Sequence, residues 1–133
     1  MQFHQLMQRL GVELRVPELA PNEQGACAIR LEGMTLSFYE DPDQAFSVLC
    51  PLGAVAADHR EMHEALLAGN LFADGIGGSA LALDGEGNAW LSQRFHPADL
   101  SFPRFLAALD RFANLADYWK ERVATGTVPT FVH

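Results

Sequence analysis

Apolar residues near the start fall at Phe3, Leu6, Met7 and Leu10, a spacing that gathers them on one face of a short helix, and Gly11 follows as a natural stop. Pro17, Pro21, Asn22 and Gly25 mark a loop. The period then changes to two. Cys27, Ile29 and Leu31 alternate with Ala28 and Arg30, Glu32-Gly33 gives a turn, and Met34, Leu36 and Phe38 share one face of a second strand. Asp41-Pro42-Asp43 breaks the run before a third alternating set, Phe46, Val48 and Cys50. The short connections predict an antiparallel meander.

Helical spacing returns over about residues 55–72, with Val55, His59, Met62, Leu66 and Gly69 in line and Ala65 and Leu67 widening the stripe. Asp58, Glu61 and Glu64 occupy the early turns, where the helix dipole favours acids. Ala73-Asp74-Gly75 and the Gly77-Gly78 pair end the helix. A hairpin follows, residues 79–84 and 88–95, joined through Gly85-Glu86-Gly87. Leu81 and Leu83 share a face of its first strand; Ala89, Leu91 and Phe95 share a face of its second. A last helix over residues 102–124 begins with Ser101 as N-cap and tolerates Pro103 in its first turn. Phe102, Phe105, Leu106, Leu109, Phe112, Ala113, Ala116, Trp119 and Val123 form its stripe, and Gly126 and Pro129 end it. The order is helix, three-stranded antiparallel meander, helix, β-hairpin and long C-terminal helix: an α+β chain expected to form one domain over residues 1–133.

Composition narrows the function classes. Hydrophobic residues make up 49% and charged residues 20%, a globular balance with apolar surface to spare for a partner. The net charge of −8 is concentrated in the middle, where residues 31–86 hold ten acids and one base, Arg60. Such a surface repels phosphate backbones, and nucleic acid is not expected as a partner. Lys120 is the only lysine, which argues against a polybasic membrane site. No run reaches the ~18 apolar residues of a membrane span, and the N-terminus lacks a basic, then apolar leader, so a cytoplasmic protein without membrane insertion is expected. Cys27 and Cys50 are expected as free thiols in strands.

Catalytic and cofactor motifs fail on inspection. His59 and His63 are spaced to share a helix face, but Arg60 stands where a zinc protease needs glutamate. Both are expected on a water-facing surface. The glycine run 75–79 lacks the lysine of a phosphate loop and leads into a strand. Asp84 and Glu86 sit in a solvated turn, with no apolar pocket to raise a carboxyl pKa. No catalytic, metal or cofactor-binding residue is assigned, and no enzyme is expected.

Residues 66–84 (LLAGNLFADGIGGSALALD), followed by the hairpin to Phe95, resemble the class I type III secretion chaperones, the Tir-chaperone family. There, too, a helix ends in leucines and Asn, crosses a glycine loop and enters an L-x-L-D strand. Residues 26–38 (ACAIRLEGMTLSF) resemble the family's first hairpin, and the likeness extends loosely over residues 1–125. The tail 125–133 departs from it. The resemblance implies a cytoplasmic homodimer that holds the N-terminal segment of a secreted effector in extended form, export-competent, without nucleotide or metal. It also implies contact with the secretion apparatus. Effector side chains would enter a groove lined by Phe3, Leu6 and Leu10, with Ile29, Leu31, Leu36, Phe38, Leu81, Leu83 and Leu91 from the hairpins, while a short effector strand joins a sheet edge. Met62, Leu66, Leu67, Leu71 and Phe72 would form the dimer interface. Two other readings stay open: a regulatory binding protein of the same fold that sequesters a secretion-system control protein, and a small metal-dependent hydrolase using His59 and His63.

Overall fold

The computed structural model describes residues 1–71 and 78–129. The first helix, α1 (Phe3–Leu14), keeps Phe3, Leu6, Met7 and Leu10 buried. It runs past Gly11 and ends at Arg15, a left-handed residue at φ 57°. Gly11 has a different task from the expected stop. A Cβ there would lie 2.9 Å from the Leu19 Cβ and 3.0 Å from the Val16 carbonyl, so glycine lets the returning loop close on the helix.

The strands β1 (Ala26–Leu31), β2 (Met34–Glu40) and β3 (Phe46–Ala54) form the meander. Ile29 opposes Leu36, and Phe38 opposes Val48, so the alternating apolar sets meet on one face. The hairpin β4 (Ala80–Leu83) and β5 (Asn88–Phe95) completes a sheet of order β1-β2-β3-β5-β4. The helix α2 (Arg60–Leu71) starts later than its stripe suggested. Val55 is buried through its place beside the end of β3, its N–H bonded to the Gly87 carbonyl at 2.9 Å, and residues 56–59 form a turn. A single 3-10 turn, Pro97–Asp99, precedes the long α3 (Phe102–Thr125), which Ser101 caps by accepting the Arg104 N–H at 3.3 Å.

The chain divides into two compact units, residues 1–49 with 94–110 and residues 50–93 with 111–133. The first is centred on Phe46, whose ring lies 4.9 Å from Phe3, 5.2 Å from Phe95 and 5.7 Å from Phe105. Such aromatic pairs contribute about 0.5–1.5 kcal/mol each beyond area burial. In the second, Trp119 and Leu81 are buried close to Gly69 of α2, where a Cβ would lie 3.1 Å from the indole and 2.6 Å from the leucine.

Candidate partner-binding surfaces

Of the side chains expected to line an effector groove, Phe3, Leu6, Leu10, Ile29, Leu36, Phe38, Leu81 and Leu91 are all buried within the chain. They are core residues, and a partner reaches none of them without prising the core open. Leu31 is half-buried, and Leu83 is 40% exposed. The period of two identified which residues share a face. It did not say that this face is covered by the chain's own helices.

The first unit holds an open cleft of about 510 Å³ at the start of α1. Gln2, Gln5, Glu40, Gln44 and His96 supply its polar lining, and Met1, Ala45 and Ala98 its apolar part. At its rim Arg94 reaches Asp41 at 3.6 Å and also hydrogen-bonds Asp43. The Ala45 N–H and this guanidinium together hold the Asp43 carboxyl below its usual pKa.

The same unit contains the β1 edge. Asn22 covers its first residue: the Asn22 N–H donates to the Ala26 carbonyl at 2.8 Å, and the Ala26 N–H donates to Asn22 Oδ1 at 3.0 Å. Ala26 therefore points its peptide groups away from β2. By strand alternation Ala28 and Arg30 do the same.

The second unit splits the expected dimer residues. Met62 and Leu66 are buried, whereas Leu67 and Leu71, four residues apart on α2, are 71% and 76% exposed. Phe72 and most of the 75–79 glycine run lie outside the described residues. Asn70 makes a contact that sequence reasoning missed. Its side-chain amide donates to the Leu81 carbonyl at 2.7 Å, and its Oδ1 accepts the Leu81 N–H at 2.7 Å.

His59 is also more than a surface residue. It sits just before α2, where Nδ1 accepts the Met62 N–H at 3.3 Å, leaving Nε2 to donate to the Gly126 carbonyl at 3.3 Å. His63 is half-buried one turn further on. Among the described residues no group of three or more His, Cys, Asp or Glu is placed to hold a metal ion. Burial raises both thiols, Cys27 to about 11, which keeps it protonated and a poor nucleophile. No helix among the described residues is long and apolar enough to cross a membrane.

The model of the Tir chaperone protein (CesT) family matches residues 4–120. The chain belongs to the Tir chaperone family. A Chlamydia pneumoniae protein, CPj0713/CpB0740, is 32% identical over 89 residues, covering 65% of this chain and 68% of the other. Among solved structures, a chain of the ExsC–ExsE complex aligns with TM-score 0.78 at 14% identity, covering 92% of this chain and 97% of that one. The Yersinia pestis type III secretion chaperone SycH, solved with a fragment of YscM2, gives TM-score 0.72 at 18% identity, covering 89% and 99%. The ExoU–SpcU complex from the type III secretion system of Pseudomonas aeruginosa gives 0.71 at 14%, covering 92% and 98%. Identities this low carry the fold: the Tir-chaperone architecture of helix, meander, helix, hairpin and long helix is the one expected from the sequence.

Proposed function

We propose that this Tir-chaperone-family chain is a cytoplasmic type III secretion chaperone, a homodimer that binds the N-terminal segment of a secreted effector in extended form and keeps it export-competent. It does so as a binding protein and not as an enzyme, with no metal or cofactor. The family match over residues 4–120 carries this reading. Solved complexes such as SycH with its YscM2 fragment and ExoU with SpcU support it by the kind of pairing their names describe. Two surface features support it physically. The β1 edge offers main-chain groups to an extended strand, and Leu31 and Leu83 remain accessible for side-chain contact. Leu67 and Leu71 suit a contact between two copies. Holding the effector segment outside any core leaves it ready for unfolded export and for hand-over to the secretion apparatus.

The test is purification of the untagged protein from its own host, with mass spectrometry and crosslinking of what remains bound. A secreted protein retained through a segment near its N-terminus is the expected outcome. A retained protein that is never exported would favour the regulatory reading, and stoichiometric zinc lost on changing His59 and His63 would favour a hydrolase.

A further inference from the structure

We infer that Asp84–Gly85 is a latent site of aspartate isomerisation, which the indole of Trp90 holds shut. The inference does not depend on the proposed chaperone reading. An aspartate followed by glycine is especially open to this chemistry, because glycine has no Cβ to crowd the attacking nitrogen. The Gly85 nitrogen attacks Cγ of the protonated Asp84 carboxyl. A C–N bond forms, and the carboxyl hydroxyl leaves with the N–H proton as water. A second water opens the resulting five-membered imide. Opening at Cγ restores aspartate; opening at the former backbone carbonyl leaves the chain running through Cγ, an isoaspartate of unchanged mass. Both residues are exposed, and among the described residues the Gly85 N–H has no hydrogen-bond acceptor. Gly85 also avoids the left-handed region that Gly87 occupies at φ 82°, and a Cβ on it would meet nothing within 4 Å. The turn thus carries a reactive pair that its conformation does not demand.

What restrains the reaction is the set of donors on the carboxylate. Oδ1 accepts the N–H groups of Glu86 at 2.8 Å and Asn88 at 3.0 Å. Oδ2 accepts the Trp90 indole N–H at 2.9 Å and the Asn88 side-chain amide at 3.3 Å. Ring closure requires the carboxyl to take up a proton and to turn Cγ toward the Gly85 nitrogen, and both steps disrupt these bonds. Glu86 and Asn88 lie in and beside the turn, whereas Trp90 is half-buried within β5, opposite Ala82 of β4, and anchors the carboxylate to the sheet. The indole is also the first cause of the lowered Asp84 pKa. A fall from 3.8 to about 2 leaves on the order of 10- to 100-fold less protonated carboxyl at neutral pH. Conversion would turn the Asp84 backbone carbonyl, which accepts the Gly87 N–H at 3.2 Å, into a free carboxylate and lengthen the chain by one methylene. The hairpin cannot close again with the same bonds, so isoaspartate at residue 84 records that it has opened.

The experiment incubates the full chain for weeks at physiological temperature and neutral pH. Peptide mapping with electron-transfer fragmentation then separates isoaspartate from aspartate at residue 84, a site-resolved readout needed because Asp74-Gly75 repeats the dipeptide. The native wild type is expected to convert residue 84 at least about tenfold more slowly than the same chain unfolded in urea. Trp90→Phe, which keeps an aromatic ring and removes the donor, is expected to raise the native rate by about tenfold with unchanged circular dichroism. Asn88→Ala removes only the weakest donor and should raise it by about twofold. Gly85→Ala has room for its methyl group and should suppress the product in both native and unfolded chains. A native wild type that converts as fast as the unfolded chain overturns the inference, as does a folded Trp90→Phe variant at the wild-type rate. If Trp90→Phe does not fold, a wild-type rate in Asn88→Ala overturns it instead. Undiminished product in Gly85→Ala would show that this nitrogen does not close the ring, and removes the site.

Discussion

Asp84 organises its hairpin with one carboxylate. Oδ1 accepts the N–H groups of Glu86 at 2.8 Å and Asn88 at 3.0 Å, and Oδ2 accepts the Trp90 indole N–H at 2.9 Å. The indole bond first, then the Asn88 backbone, lowers the Asp84 pKa from 3.8 to about 2. A depressed folded-state pKa stabilises the fold above the unfolded value, and that contribution is lost as pH falls from 3.8 toward 2. Acid titration followed at the Trp90 indole resonance should give a midpoint near 2, and a midpoint at the ordinary 3.8 would contradict the geometry. His59 yields a second contrast at this scale. Removing its cap on α2 by His59→Ala should cost about 1 kcal/mol, the usual loss for an N-cap. His63→Ala, which removes no cap, should stay within ~0.5 kcal/mol. Equal urea midpoints for the two variants would show that the imidazole of His59 is not acting as a cap.

At the scale of elements, spacing spoke clearly wherever one face was buried. Met34, Leu36 and Phe38 alternate because β2 has one covered face, and the third strand and the long last helix were legible for the same reason. The start of α2 was obscured because Val55 and His59 continue its helical spacing by coincidence: one is buried at a strand end, and the other is a cap. The groove was misplaced for a deeper reason. An apolar stripe such as Phe3, Leu6 and Leu10 reads identically whether it meets a partner or its own core, and here it meets the core. Asn70 left only a faint trace, an asparagine late in a helix ahead of a short strand, because its partner Leu81 is identified only by the folded structure. Gly69 shows how tightly this region is built. A methyl group there must displace the buried Trp119 indole as well as a leucine methyl, so Gly69→Ala should destabilise by ~1–3 kcal/mol despite alanine's better helix propensity. A thermal midpoint at or above that of the wild type would mean that α2 is free to move away.

Across the whole molecule, the unresolved balance is between charge and exposed apolar surface. A net charge of −8 keeps copies apart at long range, and only a contact with enough apolar area overcomes that repulsion. Leu67 and Leu71 are the large apolar side chains of α2 left most open to water, on one stripe of the helix. An isologous contact uses that stripe twice, so each substitution in it counts twice. Changing both leucines to glutamate would place four new carboxylates at the two-fold contact of a protein already rich in acids. Because both side chains are exposed within the chain, the change should cost each subunit's own fold little, of order ~0.5 kcal/mol per site. Met62→Glu is the contrasting variant, since its side chain is buried and a charge there should disrupt the subunit itself. Sedimentation equilibrium at micromolar concentration should give the wild type at twice 14.6 kDa and the double variant at 14.6 kDa, with superimposable circular dichroism. A wild type at 14.6 kDa would remove the homodimer, and a double variant that stays dimeric would move the interface off this face of α2.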